Sequence, residues 1–333
     1  MRLILFAIAG ALALAGCSQE PEGDADAQAA TEEITYPGVP EEQAARIREL
    51  GREIDPASFA IFEGMVDAPP YDDVDIDADI SYGEDAAQVL DVYTFQNSSE
   101  GSSRPVLLFV HGGGFVGGSK AGGYYPQNVT AWAARNGMVG VNMDYRLAPD
   151  AAWPAGRDDL AAAIAWVRQN IARYGGNPDR IVLFGHSAGA NHVADYVTHK
   201  DLQGAEAGAV EGAVLLSPYY AAKAGPPDYA ANAGEATDHP YYGSAEALQT
   251  ASAAIARMGA SSVPLFVGYA EYDPQFMVDF AHQIENELCG SGAGGSCPKV
   301  LFLADHNHLT EGASIGSADE SLSGPLLAWL KSL

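Results

Sequence analysis

A glycine-flanked serine between an apolar run and a helical stretch constrains this chain more than any other feature. Residues 180–183 predict a buried strand, residues 191–199 predict a helix, and Gly185-His186-Ser187-Ala188-Gly189 joins them. A Gly-x-Ser-x-Gly turn in this setting is typical of a nucleophile elbow, which holds the serine hydroxyl clear of the sheet. A side chain at Gly185 or Gly189 would collide with the neighbouring strand or helix, so both positions require glycine.

A second motif, His111-Gly112-Gly113-Gly114-Phe115, follows the apolar run at residues 105–110. Tetrahedral intermediates of acyl transfer carry an oxyanion that needs preorganised N–H donors. A glycine run lets backbone amides turn toward one point. Taken alone, the motif also fits a tight turn after a strand, but its order relative to the serine elbow favours an oxyanion hole.

Apolar runs and helical periodicity alternate along the rest of the chain. This alternation predicts an α/β fold with a mostly parallel central sheet and helices on both faces. Ligands of such sheets bind at the carboxyl ends of the strands, where both motifs lie. The predicted strands are 74–82, 89–95, 106–110, 138–143, 180–184, 210–216, 263–267 and 299–303, and the predicted helices include 41–53, 124–136, 160–171, 191–199 and 319–331.

Two segments, 38–73 and 217–262, do not fit the minimal strand–helix pattern, and we expect them to form a small cap. The second segment is rich in tyrosine, and its rings are candidates for lining an acyl or aryl pocket or for packing the cap onto the core. Its tyrosines include Tyr219, Tyr220, Tyr229, Tyr241 and Tyr242.

A serine nucleophile needs a base, and the base needs an acid to orient it. The acid is expected after the strand at 263–267, where Asp273 and Glu271 compete. The base is expected after the last strand, where His308 and His306 compete. Position along the chain does not choose between the members of either pair.

Together these motifs resemble the α/β-hydrolase superfamily, specifically carboxylesterases of the hormone-sensitive-lipase type. The resemblance extends from about Val89 to the C-terminus and includes residues 144–149, 271–274 and 308–310. It implies Ser187 as nucleophile, Asp273 as acid and His308 as base. It also implies that the backbone amides of Gly113, Gly114 and Ala188 form the oxyanion hole. Such an enzyme needs no metal and no organic cofactor.

One departure from the family pattern bears on the substrate. Many relatives carry aspartate before the serine, whereas this chain carries His186. Gly-His-Ser-Ala-Gly is common in neighbouring groups that resemble feruloyl or acetyl esterases and arylformamidases. The leading hypothesis is a serine carboxylesterase for small neutral esters, with a feruloyl or acetyl carbohydrate esterase, or an amidase or arylformamidase, as alternatives. A non-enzymatic alternative is a binding lipoprotein on a hydrolase scaffold.

The amino terminus predicts export and membrane anchoring. Arg2 precedes an apolar stretch at residues 3–14, which is too short to span a bilayer as a helix and ends in Leu14-Ala15-Gly16-Cys17. This resembles a bacterial lipoprotein signal, with residues 1–16 removed and Cys17 lipidated. Residues 17–37 then predict an acidic tether, and residues 38–333 the hydrolase domain. Ser18 after the cysteine favours the outer membrane, facing the periplasm or the cell surface.

Net charge limits the possible partners, and the cysteine positions predict a disulfide. The net charge is −27; with no basic patch visible, this argues against nucleic acid and disfavours highly anionic substrates. Cys289 and Cys297 flank a glycine-rich loop, and in an exported protein they predict a disulfide.

Overall fold

The computed structural model describes residues 34–96, 103–122, 125–199, 208–218, 240–244, 246, 247, 250, 257, 258, 261–289 and 297–333. Tyr36–Leu333 forms one compact unit. Its centre is an 8-stranded sheet with the order β1-β2-β4-β3-β5-β6-β7-β8. The strands are β1 Val74–Ser81, β2 Val89–Phe95, β3 Arg104–Val110, β4 Val139–Met143, β5 Gly176–His186, β6 Val210–Leu216, β7 Leu265–Tyr272 and β8 Lys299–Asn307.

β2 pairs antiparallel with both β1 and β4, and the remaining strand pairs are parallel. This confirms the predicted, mostly parallel sheet. The described helices are α1 Glu41–Leu50, α2 Tyr125–Arg135, α3 Ala155–Asn170, α4 Ala188–Thr198, α5 Gln275–Cys289, α6 Thr310–Ala313 and α7 Ser323–Leu330. Short 3-10 helices occupy Pro56–Ile61 and Ile171–Tyr174.

Strand β3 has no solvent-facing side in its second half, because helices cover both faces of the sheet. Leu108 and Val110 enter a core layer that α3, α4 and α5 complete. Leu107 and Phe109 enter a second layer with residues of α2 and α7. Since successive strand side chains point to opposite faces, a continuous apolar run is what two buried faces require.

The strand register brings the carboxyl ends of five strands together. Val110 of β3 pairs with Gly185 of β5, and His186 pairs with Leu216 of β6. Leu216 pairs in turn with Gly268 of β7, and Tyr272 at the end of β7 pairs with Asn307 of β8. The turns that follow these strands therefore lie along one edge of the sheet.

Several elements differ in length from the sequence-based expectation. β7 and β8 continue past their apolar runs to Tyr272 and Asn307, because backbone pairing between the two strands extends beyond the buried side chains. The last helix starts at Ser323 rather than at Asp319, whose side chain accepts a hydrogen bond from the amide of Ser321 instead. Within this helix, Leu326 is fully buried and Leu327 only partly.

The predicted disulfide between Cys289 and Cys297 is formed. Cys17, the signal segment 1–16 and most of the tether lie outside the described residues, as do Tyr219, Tyr220 and Tyr229. Within the described part of the chain, no helix combines the length and the apolar character that a membrane crossing requires.

Candidate active site

Ser187 occupies the turn between β5 and α4 in a strained backbone conformation. Its φ is 54° and its ψ is −123°, values that a residue with a side chain rarely adopts. A Cβ on Gly185 would lie 2.4 Å from the carbonyl oxygen of Gly189, and one on Gly189 would lie 2.1 Å from that of Val110. The two glycines thus allow the close approach of strand and helix on which the turn depends.

Ser187, His308 and Asp273 form a continuous hydrogen-bonded chain. His308 Nε2 lies 2.9 Å from Ser187 Oγ, and His308 Nδ1 lies 2.9 Å from Asp273 Oδ1. All three residues are buried. With Nδ1–H donating to the carboxylate, the bare Nε2 accepts the serine proton, which is the arrangement that general-base activation requires.

The rival acid and the rival base have other partners. Glu271 is half-buried, and its carboxylate accepts a hydrogen bond from the backbone amide of Asp305. His306 points away from Ser187 and lies 2.9 Å from Asp319, with Ser321 and Thr310 also within hydrogen-bond reach. The His306 side chain is fully buried.

The glycine loop after β3 lies against the nucleophile. A Cβ on Gly112 would lie 2.9 Å from Ser187 Cβ. Gly113 and Gly114 have φ values of 127° and 61°, a region that favours glycine. Ala188 is the first residue of α4, and the first amides of a helix have no intrahelical acceptor. The structure therefore places Gly112 against Ser187 and Ala188 directly after it, while the candidate donors Gly113 and Gly114 follow Gly112 in the same loop.

Residues that follow β4 hold the glycine loop in place. The hydroxyl of Tyr145 donates to the carbonyl of His111 at 2.9 Å, and the amide of Ala148 donates to that of Phe115 at 3.0 Å. The His111 ring stacks on Tyr145, and burial lowers the pKa of His111 to about 4 despite its hydrogen bond to the Gly112 carbonyl. A neutral His111 thus packs beneath the loop.

An aromatic cluster borders the same loop. Phe115 directly follows Gly114 and stacks on Tyr241 with ring centroids 4.3 Å apart. Tyr242 and Ala188 belong to the same buried cluster. Tyr241 and Tyr242 lie in the expected cap segment, so at least this part of the segment packs directly beside the nucleophile elbow.

Sequence reasoning missed two residues next to the triad. Ser217 follows β6, and its hydroxyl donates to Asp273 Oδ2 at 2.5 Å, beside the amide of Ala270 at 2.7 Å. Glu311 lies fully buried in α6, next to His186. The position of Ser217 directly after a buried strand was a usable signal. Nothing in the local sequence marked Glu311.

Among the described residues, His186, His308 and Glu311 are the one group of metal-ligating types that lie close together. The ring nitrogens of His308 already contact Ser187 and Asp273, and Nε2 of His186 contacts the His308 carbonyl. Because these nitrogens take part in hydrogen bonds, we assign the group no role in metal binding.

Comparison with known proteins agrees with this geometry. The BD-FAE family model matches residues 90–207, which include the glycine loop and the serine elbow. Esterase B from Lactobacillus Rhamnosis superposes with a TM-score of 0.66 at 18% identity, over 88% of this chain and 95% of that chain. A fungal esterase from Rhizomucor miehei superposes with a TM-score of 0.62 at 21% identity, over 90% and 98%. The chain has the α/β-hydrolase fold.

Curated relatives match a shorter region of the sequence. "Cocaine esterase" of Homo sapiens is 38% identical over 139 residues, which are 39% of this chain and 24% of the relative. "Esterase LipC" of Mycobacterium tuberculosis is 40% identical over 112 residues, which are 34% of this chain and 27% of the relative. The chain thus spans about a quarter of the length of these curated relatives. The resemblance to the hormone-sensitive-lipase type that the motifs predicted is confirmed.

Proposed function

We propose that this hydrolase is a serine carboxylesterase that cleaves small neutral esters through an acyl-enzyme. The observation that carries the proposal is the Ser187–His308–Asp273 chain beside a glycine loop, with 2.9 Å at both of its links. The sequence relatives named Cocaine esterase and Esterase LipC support the same reaction class.

In the first half of the proposed reaction, Ser187 Oγ attacks the ester carbonyl carbon while its proton passes to His308 Nε2. Asp273 stabilises the imidazolium, and amides of Gly113, Gly114 and Ala188 stabilise the oxyanion. Collapse of the tetrahedral intermediate breaks the bond to the alcohol oxygen, which takes the proton from His308. In the second half, water repeats these steps on the acyl-enzyme and releases the carboxylic acid.

Substrate preference follows from charge and from the aromatic cluster. The net charge of −27 disfavours highly anionic substrates at long range. Phe115 and Tyr241 border the nucleophile, so an apolar acyl or aryl group is the expected occupant. The same triad can cleave amides, so an amidase or arylformamidase is one alternative. A feruloyl or acetyl carbohydrate esterase is another, and assays with different substrates distinguish them.

The test is a panel of p-nitrophenyl esters of increasing acyl length, with feruloyl esters, acetylated sugars and an anilide beside it. We expect the highest kcat/KM on short neutral esters. A fluorophosphonate probe should label the wild-type chain but not Ser187→Ala, whose kcat should fall by about 10⁴–10⁶. A correctly folded chain that neither labels nor hydrolyses any member of the panel would favour the binding-lipoprotein alternative.

We further propose that Cys17 carries a lipid that anchors the enzyme to the outer membrane. The sequence Leu14-Ala15-Gly16-Cys17 after an apolar segment supports this. Several acyl chains on one cysteine give stable anchoring, whereas a single chain gives marginal binding. Cys17→Ser should move the protein out of the membrane fraction and stop incorporation of labelled palmitate. Persistent incorporation would contradict the proposal.

A further inference from the structure

Glu311 is a buried carboxyl group that the mechanism does not use. It lies three residues after His308 and is fully buried. Its Oε1 atom is 3.3 Å from Nε2 of His186, and its carboxyl group also interacts with the Ser217 hydroxyl. No other described residue is hydrogen-bonded to either carboxyl oxygen. A buried carboxylate with so few donors is costly, so this group requires an explanation.

Asp273 has the opposite environment. It accepts hydrogen bonds from the Ser217 hydroxyl, the Ala270 amide and His308 Nδ1. Three hydrogen bonds of this kind favour the charged form of a carboxyl group, whereas a fully buried site with few donors favours the neutral form. Where two neighbouring carboxyl groups have such different environments, they take different protonation states. The negative charge therefore belongs to Asp273 and the proton to Glu311.

The groups that face Glu311 reinforce this assignment. They are His186 at the end of β5, Ser217 after β6, Asp273 after β7, His308 after β8 and Tyr125 of α2. Burial, followed by the charge of Asp273, raises the pKa of Glu311 well above its usual value, although the hydrogen bond with Ser217 acts in the opposite direction. In the described part of the chain, no lysine or arginine contributes to its environment.

His186 is uncharged as well. Its Nε2 lies 2.8 Å from the carbonyl oxygen of His308, to which it donates, and its Nδ1 has no partner among the described residues. Burial, followed by the charge of His308, pushes the pKa of His186 well below its usual value. Glu311 and His186 are thus a neutral pair that contacts the loop carrying the base.

We propose that Glu311 is a positioning residue that acts as an uncharged acid, holding Ser217 and His186 so that they fix Asp273 and the His308 loop. The proposal rests on the esterase function proposed above. Ser217 has one hydroxyl proton and donates it to Asp273. Its oxygen can therefore only accept from Glu311, which it contacts, and a protonated carboxyl group supplies that donor.

The neutral state has a functional consequence. A second carboxylate beside the triad would stabilise the imidazolium of His308 in the resting enzyme and would repel Asp273. The base would then hold a proton at a higher pH than catalysis requires. An uncharged Glu311 orients the same residues without this effect.

The experiment compares Glu311→Gln, Glu311→Ala and Ser217→Ala by kcat, KM and the pH dependence of kcat/KM on a short p-nitrophenyl ester. We expect Glu311→Gln, which remains neutral, to keep kcat within about threefold and to move the acid-limb midpoint by less than about 0.3 unit. Glu311→Ala should lower kcat by about 10²-fold with little change in KM, because the triad loses its alignment. Ser217→Ala should lower kcat too, and the double alanine variant should be less than additive.

Asp319→Asn is the matched control, since Asp319 is also a buried acid that follows His308 but it pairs with His306. It should lower the melting temperature while leaving kcat within about twofold, as expected of a buried hydrogen-bonded pair that does not contact the triad. If Glu311→Ala does not fold, the acid-limb midpoint of Glu311→Gln and the kcat of Ser217→Ala test the inference.

Two results would overturn the inference. One is a fall of a full unit or more in the acid-limb midpoint of Glu311→Gln, which would mean that Glu311 is ionised. The other is an unchanged kcat in folded Glu311→Ala, or in Ser217→Ala where Glu311→Ala does not fold. If the wild-type chain reacts with fluorophosphonate and folded Glu311→Ala keeps the wild-type kcat, this inference alone is wrong. A wild-type chain that neither labels nor hydrolyses esters would overturn the proposed function and this inference with it.

Discussion

His306 Nε2 lies 2.9 Å from a carboxylate oxygen of Asp319, and both side chains are fully buried. Burial opposes ionisation of Asp319, but the hydrogen bond and charge of His306, together with hydrogen bonds from Ser321, outweigh it and lower the pKa of Asp319. This pair holds His306 away from Ser187. The next histidine along β8 and its loop, His308, is thereby the one that reaches the nucleophile.

The two histidines should give opposite phenotypes. His308→Ala should match the loss of Ser187→Ala, because base and nucleophile act as one unit and their effects do not add. His306→Ala should keep most activity per folded molecule but lose about 3 kcal/mol of stability, since it leaves Asp319 buried without its partner. Hydrolysis of a short-chain ester, normalised to the folded fraction by circular dichroism, measures both. If His308→Ala is active and His306→Ala is folded but inactive, the base must be His306.

The two acids offer a second matched pair. Asp273→Asn should lose far more kcat than Glu271→Gln, by about 10⁴-fold, because Asp273 contacts His308 Nδ1 whereas Glu271 bonds the Asp305 amide. Both substitutions remove one charge and preserve size, so a difference between them reports position alone. Equal losses in the two variants would contradict the assignment of Asp273.

Tyr241 should limit the size of the acyl group. Its ring stacks on Phe115 beside Ala188, so truncation opens space next to the nucleophile. We expect Tyr241→Ala to shift the preference in the p-nitrophenyl series toward longer acyl chains by roughly tenfold in relative kcat/KM, within the range for one or two methylene groups. Tyr174→Ala is the control, since Tyr174 lies before β5, at the end opposite Ser187. An unchanged chain-length profile in Tyr241→Ala would place the acyl pocket elsewhere.

Buried neutral histidines should make the fold sensitive to acid. Burial lowers the pKa of His111 to about 4 and that of His192 to about 3. Below about 6.5 the unfolded chain binds protons that the folded chain does not, so stability is full above that pH and falls as the pH drops toward 4. Each histidine contributes a slope of at most about 1.4 kcal/mol per pH unit. Urea unfolding at several pH values should show this slope, and His192→Gln should reduce it; an unchanged slope would rule out a contribution from His192.

Local sequence determined the elements and the strained serine turn. The apolar run before Ser187 predicted a strand because a strand buried on both faces must be apolar throughout. The glycines at 185 and 189 predicted a close approach, and a Cβ at either position would clash with neighbouring backbone. These features are visible from sequence because each depends on residues that lie close together along the chain.

Tertiary structure alone decided which of the candidate acids and bases meet. Residues 187, 273 and 308 are far apart in sequence, and only the register of β5, β6, β7 and β8 brings their turns to one edge. The direction of His306 depends on Asp319, which follows in a separate turn. The proton on Glu311 depends on burial and on the neighbouring Asp273 charge. Burial, partner choice and protonation state arise from contacts across the fold, so no local pattern in the sequence encodes them.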